Sequence, residues 1–377
     1  MTEGVWRKGE DLIYWNTLVE KLLHTDEVII YGAGLMGNTV KRCLEDAPYH
    51  VKIRAFVVFS MKNNPENIDG IPVMDLVHAA AYRNRLVLVA LHERNMQEAL
   101  KQLEEAGFRN CIPLSFDSNE WSDIRGNWFS YMSGIYGENY LDLNDALGQK
   151  LHVYVARSTS DQILKEEPQM RSFEIPIQVG AALADRQIAA VLDDEGENIS
   201  EKNKKYCELT ALYWIWKHEK TQYLGLSHYR RRFAITEQMA EKLPESDIDV
   251  VTTVPVLNIN GVKQQYCSDH IERDWDICMK AVRELSPHYA AAADQIQRGT
   301  YYYAYNMLIA RREILDQYCE WLFPILFQCE KKIGERKEAY QGRYIGFLAE
   351  RLMTIFLEHH RKEFKQAIAR KNFFDSR

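Results

Sequence analysis

The chain has no C-x-x-C pair, no long apolar run and no excess of positive charge, and each absence removes a class of protein. Its seven cysteines are scattered and odd in number, which suits reduced thiols in a cytoplasmic protein rather than a disulfide frame or a zinc site. Apolar stretches fall short of the roughly 20 residues a membrane span needs. Residues 1–10 are polar and charged, so neither a transmembrane helix nor a secretory signal is expected. A net charge of −7 argues against a nucleic-acid binder and leaves room for local basic patches.

What is present describes a globular chain: 377 residues, 46% apolar and 27% charged. That length predicts two α/β domains, residues 1–149 and 150–377. In the first, a helix over residues 11–23 leads into the strand Glu27-Val-Ile-Ile-Tyr31 and the turn Gly32-Ala-Gly-Leu-Met-Gly37, then a helix to about Glu45. Gly32, Gly34 and Gly37 permit a tight turn whose following helix N-terminus receives a phosphate, so this is a candidate nucleotide loop in a Rossmann-like domain; the other reading is a scaffold turn. NAD is not expected, because the next strand ends in Phe59-Ser60 instead of an acid that would hold the ribose. Residues 114–149 read as a connector with some helix and aromatic packing.

The second domain opens with the alternating strand Leu151-His-Val-Tyr-Val-Ala156 and a polar turn from Arg157, a place for a base or ribose beside Ala156 and Arg157. After the strand-like segment 187–192 come Asp193 and Asp194, which either hold Mg²⁺ or Mn²⁺ or form a charged turn before a helix over 201–218. Asn203, Cys207, Thr210 and Trp214 share one face of that helix, and the polar members point to a cleft that also meets the donor. The most informative segment is Tyr223-Leu-Gly-Leu-Ser-His-Tyr-Arg-Arg-Arg-Phe233, where a buried-type strand delivers His228, Arg230, Arg231 and Arg232 to its carboxyl end. Open α/β sheets hold ligands at strand ends, and the planar guanidinium suits phosphate oxygens.

These residues, with Pro176-Ile-Gln-Val-Gly180, Tyr206-Cys-Glu-Leu-Thr210, Tyr266-Cys-Ser-Asp-His270, Tyr305-Asn-Met-Leu-Ile309 and Gln341-Gly-Arg343, resemble the exopolysaccharide and capsular glycosyltransferases catalogued as domain of unknown function 4422. The resemblance spans residues 151–357. It implies a GT-A-like fold, a nucleotide-sugar donor and a role in building bacterial surface polysaccharide on an oligosaccharide or lipid-linked acceptor. Ser227 stands where a cysteine is common, and Arg232 where an aromatic is common. The Asp-x-Asp metal motif of such folds is replaced by His228-Tyr-Arg230, so transfer either proceeds without a metal, with His228, Arg230 and Arg231 on the phosphates, or uses Asp193 and Asp194.

Candidate bases are Asp269, His270, Asp274 and Glu350, with His270 and Asp274 expected one helical turn apart and Glu350 on a helix over 344–357. Asn306, on a strand over 302–309, is expected to meet the donor sugar or acceptor. The basic segment 359–374 is read as an amphipathic helix offering contact with anionic lipid at the inner face of the membrane. UDP-galactose, pyranose or furanose, is the donor the resemblance suggests. Two other readings stand beside transfer: a non-catalytic nucleotide-sugar-binding scaffold, and an NAD-dependent sugar oxidoreductase resting on the glycine turn alone.

Overall fold

The computed structural model describes Tyr14, residues 16–137 and residues 150–376, and the chain divides into two compact units, Met1–Gly137 and Glu138–Arg377. In the first, strands run in the order Ile71–Asp75, Lys52–Val58, Glu27–Tyr31, Val87–Ala90, Cys111–Leu114, all parallel, with Asn67–Ile68 added antiparallel at one edge. Residues 28–31 and 87–90 are buried throughout, as the central strands of a parallel sheet covered on both faces must be. Helices Leu35–Glu45 and Glu93–Glu105 each bury one stripe, Val40, Cys43 and Leu44 in the first and Met96, Ala99 and Leu103 in the second.

The expected connector is largely a packed helix, Asn119–Ser133. Ser118 caps its start by accepting the Trp121 N–H at 3.2 Å, Gly134 ends it in the left-handed conformation (φ 69°), and Trp121, Trp128 and Phe129 are buried. Residues 138–149 of that segment lie outside the described residues. The first helix is Thr17–Leu23, begun by Asn16, whose side chain accepts the Val19 N–H; residues 11–13 and 15 also lie outside.

In the second unit the strand order is Val191–Leu192, Glu174–Gln178, Leu151–Arg157, Tyr223–His228, Leu308–Arg311, Val250–Thr253, Gln366–Ala369. The first four are parallel. Leu308–Arg311 then runs antiparallel to both neighbours, and Val250–Thr253 pairs in parallel with Gln366–Ala369. His228 lies opposite Ala156, so the ends of both strands meet at one edge, and Arg231–Phe233 turns back antiparallel from that point to pair with Lys371–Phe373.

Four expectations about elements are corrected. The C-terminal segment is not an amphipathic helix: the helix Tyr344–His359 ends, and Gln366–Ala369 and Lys371–Phe373 join the sheet. Burying Ala367, Ile368 and Ala369 completely in sheet packing outweighs local helix preference, and the apolar helical face proposed for lipid does not exist. No helix among the described residues is long and apolar enough to cross a membrane. The helix over 201–218 is broken at Cys207 (φ 51°, ψ −131°) into Asn203–Tyr206 and Leu209–His218. The strand over 302–309 is likewise interrupted, because Tyr305 and Asn306 both adopt positive φ (72° and 51°) between Tyr301–Tyr302 and Leu308–Arg311. His270 and Asp274 do not share a helix: His270 ends Val262–Asp269, and Asp274 sits in the first turn of Glu272–Leu285.

Candidate active site

Two non-glycine residues in succession at positive φ are uncommon and costly, and persist where surrounding bonds over-determine them. The Tyr305-Asn306 bend is held at three points. The Tyr305 N–H donates to Glu350 Oε1 at 2.6 Å, its carbonyl accepts from His228 Nε2 at 2.6 Å, and Asn306 Nδ2 donates to Glu208 Oε1 at 2.7 Å and to the Gly346 carbonyl at 3.2 Å. Asn306 is 1% exposed, and its Oδ1 has no hydrogen-bond partner.

Because a carbonyl only accepts, His228 Nε2 carries the proton, and the neutral ring leaves Nδ1 as an acceptor. Burial holds the His228 pKa below the ordinary histidine value; Glu208 and the Tyr305 carbonyl oppose this, while Arg231 and Arg343 add to it. Burial raises the Glu350 pKa, and Glu208 adds to that; Arg351, bonded to Glu350 Oε2 at 2.6 Å, and the Tyr305 N–H act the other way. His228, Glu208 and Glu350 therefore share one electrostatic neighbourhood with Arg231 and Arg343.

Glu208 is presented by the break at Cys207. Asn203 Nδ2 donates to the Cys207 carbonyl (2.8 Å) and to Thr210 Oγ1 (3.1 Å), and Thr210 Oγ1 donates to the same carbonyl (3.1 Å). Asn203 in turn packs against Gly180, where a Cβ would lie 2.8 Å from its Cγ. Asn203 and Thr210, expected on the donor, spend these polar contacts on shaping the bend that carries Glu208. Arg343 Nε reaches Cys207 Sγ at 3.2 Å from the far side of the chain.

The arginines divide. Arg231 lies over the Tyr305 and Phe373 rings (4.7 and 5.1 Å), with Lys371 over Tyr305 at 5.3 Å. Arg230 lies over Phe373 at 4.9 Å and reaches Gln162 Oε1 at 3.2 Å, in the loop that follows Ala156 and Arg157. In that loop Asp161 accepts the Ser158 N–H at 2.8 Å; burial pushes its pKa up to about 6, against the Ser158 bond, Arg157 and Arg230. Arg157 pairs with Glu167 at 2.9 Å. Arg232 is corrected from phosphate ligand to core pair, because it is 2% exposed and bonded to Glu174 at 3.2 Å.

Asp193, Asp274 and His270, three other expected residues, have their side chains engaged elsewhere. Asp193 is fully buried and accepts the Gly180 N–H (2.8 Å), the Ala181 N–H (3.0 Å) and the Ser200 hydroxyl, which fixes the turn after Glu174–Gln178. With its carboxylate so occupied, Asp193 does not fit a metal ligand, and among the described residues no cluster of three His, Cys, Asp or Glu side chains has metal-binding geometry. Asp194 offers its carbonyl to Asn198 at 2.8 Å. Asp274, 1% exposed, is paired with Arg336. His270 is stacked on Phe347 with ring centroids 4.0 Å apart, one helical turn before Glu350. Sequence reading assigns no role to Glu208, Tyr305, Arg343 or Lys371; Glu208, Tyr305 and Arg343 stand inside motifs of the resemblance, which is the signal that points to them.

In the first unit, Gly32, Gly34, Leu35 and Met36 line a cavity of about 560 Å³ at the carboxyl ends of Glu27–Tyr31 and its two neighbours, shared with Phe59 and Arg94. Gly32 (φ 115°) has no room for a side chain, since a Cβ would lie 2.6 Å from the Ala90 carbonyl oxygen. Gly37 has none either, at 1.9 Å from the Gly32 carbonyl oxygen.

The fold is mixed α/β and glycosyltransferase-like. The family described as "Domain of unknown function (DUF4422)" matches residues 164–362, more than half of the chain, and the chain belongs to that family. It is similar to a solved apo structure of the WbbM bifunctional glycosyltransferase, at 26% identity and a TM-score of 0.53. The match covers 59% of this chain and 45% of that one, so the chain spans less than half the length of that neighbour. No curated protein matches the chain.

Proposed function

We propose that the chain is a hexosyltransferase that moves a sugar from a UDP-linked donor to a hydroxyl of a lipid-linked surface polysaccharide on the cytoplasmic side of the membrane. The observation that carries this reading is the Tyr305-Asn306 bend, which gathers His228, Glu208 and Glu350 beside Arg231 at the carboxyl ends of the parallel strands. The family membership and the similarity to WbbM support it.

In the reaction the bond from the anomeric carbon to the β-phosphate oxygen breaks, and its electron pair leaves with UDP. Arg230 and Arg231 meet the charge that develops on the diphosphate, held in place by Phe373 and Tyr305. The acceptor oxygen bonds to the anomeric carbon and gives its proton to Glu208, whose Oε1 is fixed by Asn306. Glu350, bonded through both oxygens, positions the bend. No step runs through a metal ion.

Calorimetry of the full chain against UDP, GDP, CMP, NAD and UDP-galactose, with and without Mn²⁺, tests the donor class. Binding of UDP and UDP-galactose that is lost in Arg231→Ala supports the reading, and a chain that binds none of them sinks it. For the first unit the cavity favours a second nucleotide-type ligand, with Arg94 in its lining. UDP or NAD heat that persists in Arg231→Ala and disappears in Arg94→Ala places that ligand there.

A further inference from the structure

Most tyrosines near the bend are buried, but Tyr340 is 50% exposed, and it does not stand alone. Its ring lies 5.1 Å from Phe347 and 5.8 Å from His270, the latter with planes inclined by 25°, and His270 stacks on Phe347 at an interplanar angle of 18°. Three rings thus form a stepped apolar face. The loop that carries Tyr340 is pinned: Glu338 accepts the N–H groups of Tyr340 and Gln341, and Gln341 Nε2 donates to the Asp269 carbonyl at 3.0 Å. An aromatic ring held rigidly and left half in water is a binding element more readily than a packing element.

The face is continuous with the reacting groups. Arg343 lies over Phe347 at 5.8 Å while bonding Cys207 Sγ, next to Glu208, and Phe347 precedes Glu350 by one helical turn. Glu350 and Asp269 both act electrostatically on Tyr340, which places carboxylates near its hydroxyl. His270 is pushed down to about 4 by burial and by Arg351, so at neutral pH its ring is uncharged and presents an apolar face. The guanidinium groups assigned to the diphosphate, Arg230 and Arg231, lean instead on Phe373, in a different segment. A sugar ring is amphipathic: its C–H face packs on aromatic faces, and its hydroxyls need polar neighbours, which Arg343 and the exposed Asp269 carboxylate supply here.

We propose that Tyr340, His270 and Phe347 form the acceptor subsite, a ledge on which the terminal sugar ring of the acceptor glycan stacks so that its hydroxyl reaches Glu208. This rests on the transferase reading for its role, though not for the existence of saccharide binding. The test therefore uses two readouts on the full chain, wild type against Tyr340→Ala and Tyr340→Phe. Tyr340 is half exposed, so both variants are expected to fold, and unchanged melting temperatures check this. The first readout is saturation-transfer NMR with a galactose disaccharide. The second is UDP release from UDP-galactose, with and without that disaccharide.

The ledge predicts disaccharide saturation that is lost in Tyr340→Ala and kept in Tyr340→Phe. It also predicts an acceptor KM about tenfold higher in Tyr340→Ala, with donor KM and acceptor-free UDP release unchanged. Saturation and transfer that are the same in Tyr340→Ala as in wild type overturn the ledge and leave the transferase reading standing. A rise in donor KM overturns it too, by assigning the rings to the donor sugar. Disaccharide binding that depends on Tyr340, in a chain that never releases UDP, upholds the ledge and overturns the transferase reading.

Discussion

Asn306 and Glu208, 98 residues apart in the chain, meet through a 2.7 Å hydrogen bond from Nδ2 to Oε1. Each stands beside or within a backbone bend that an ordinary helix or strand does not contain: Asn306 is at φ 51°, and Glu208 follows Cys207 at φ 51°. One bond therefore ties two costly conformations together, and the same amide reaches the Gly346 carbonyl on a third segment. Such an arrangement orients a carboxylate without neutralising it.

Glu208→Gln keeps the bond to Asn306 and removes the proton acceptor. Its kcat for sugar transfer is expected to fall by about 10²- to 10⁴-fold, with the Kd for UDP unchanged by calorimetry. Asn306→Ala removes the orienting donor and is expected to lower kcat in the same direction. A Glu208→Gln variant at full speed would remove Glu208 from the chemistry.

Arg231 is held over Tyr305 and Phe373 in a geometry that Lys does not reproduce. Arg231→Ala is expected to weaken UDP binding by about 1.5–3 kcal/mol, the range for a charge-assisted hydrogen bond, and Arg231→Lys to recover only part of it. Calorimetry at two salt concentrations checks both.

Asp193 and Arg232 are expected to matter for stability rather than for donor chemistry. Asp193→Ala leaves two backbone N–H groups and a hydroxyl without their acceptor, for a loss of about 3 kcal/mol. Arg232→Ala strands the buried Glu174 carboxylate, for about 3–5 kcal/mol. Denaturant melts measure these losses. UDP-sugar turnover per folded molecule, insensitive to Mn²⁺ in wild type and Asp193→Asn alike, separates a structural clamp from a metal ligand.

His270 sets a pH dependence. In the unfolded chain its imidazole takes a proton below about 6.5, whereas in the native ring burial and Arg351 delay this to about 4, with Asp269 opposing. Between those values the unfolded state binds more protons, so stability falls as pH drops from about 6.5 and the loss levels off below about 4. Thermal melts from pH 7 to 4 are expected to show a smaller decline in His270→Phe, which keeps the stacking on Phe347. Parallel curves for the two proteins would contradict the assignment.

Much of the framework was legible because it is local. The strand, glycine turn and helix from Glu27 to Glu45 need only neighbouring residues, and Tyr223–His228 announces a buried strand ending in cations. The site's wiring is non-local and left no local mark. Glu208 acquires its partner from residue 306, and Arg343 reaches Cys207 across 136 residues. Arg231 and Arg232 are identical neighbours in sequence, yet strand alternation sends Arg232 to a buried Glu174 and Arg231 to the Tyr305 ring. The tail misled for a related reason: residues 366–369 have no decisive period of their own, and their pairing with Val250–Thr253 decides the structure.

The measurement closest to the central claim is UDP release from UDP-sugars by the purified full chain, with mass spectrometry of a galactose-containing acceptor, for wild type and Glu208→Gln side by side. The account predicts UDP formation, an acceptor heavier by one hexose residue, and both nearly abolished in the variant while UDP still binds. UDP binding without any hexose transfer across the donor and acceptor panel, or transfer undiminished in Glu208→Gln, would contradict it.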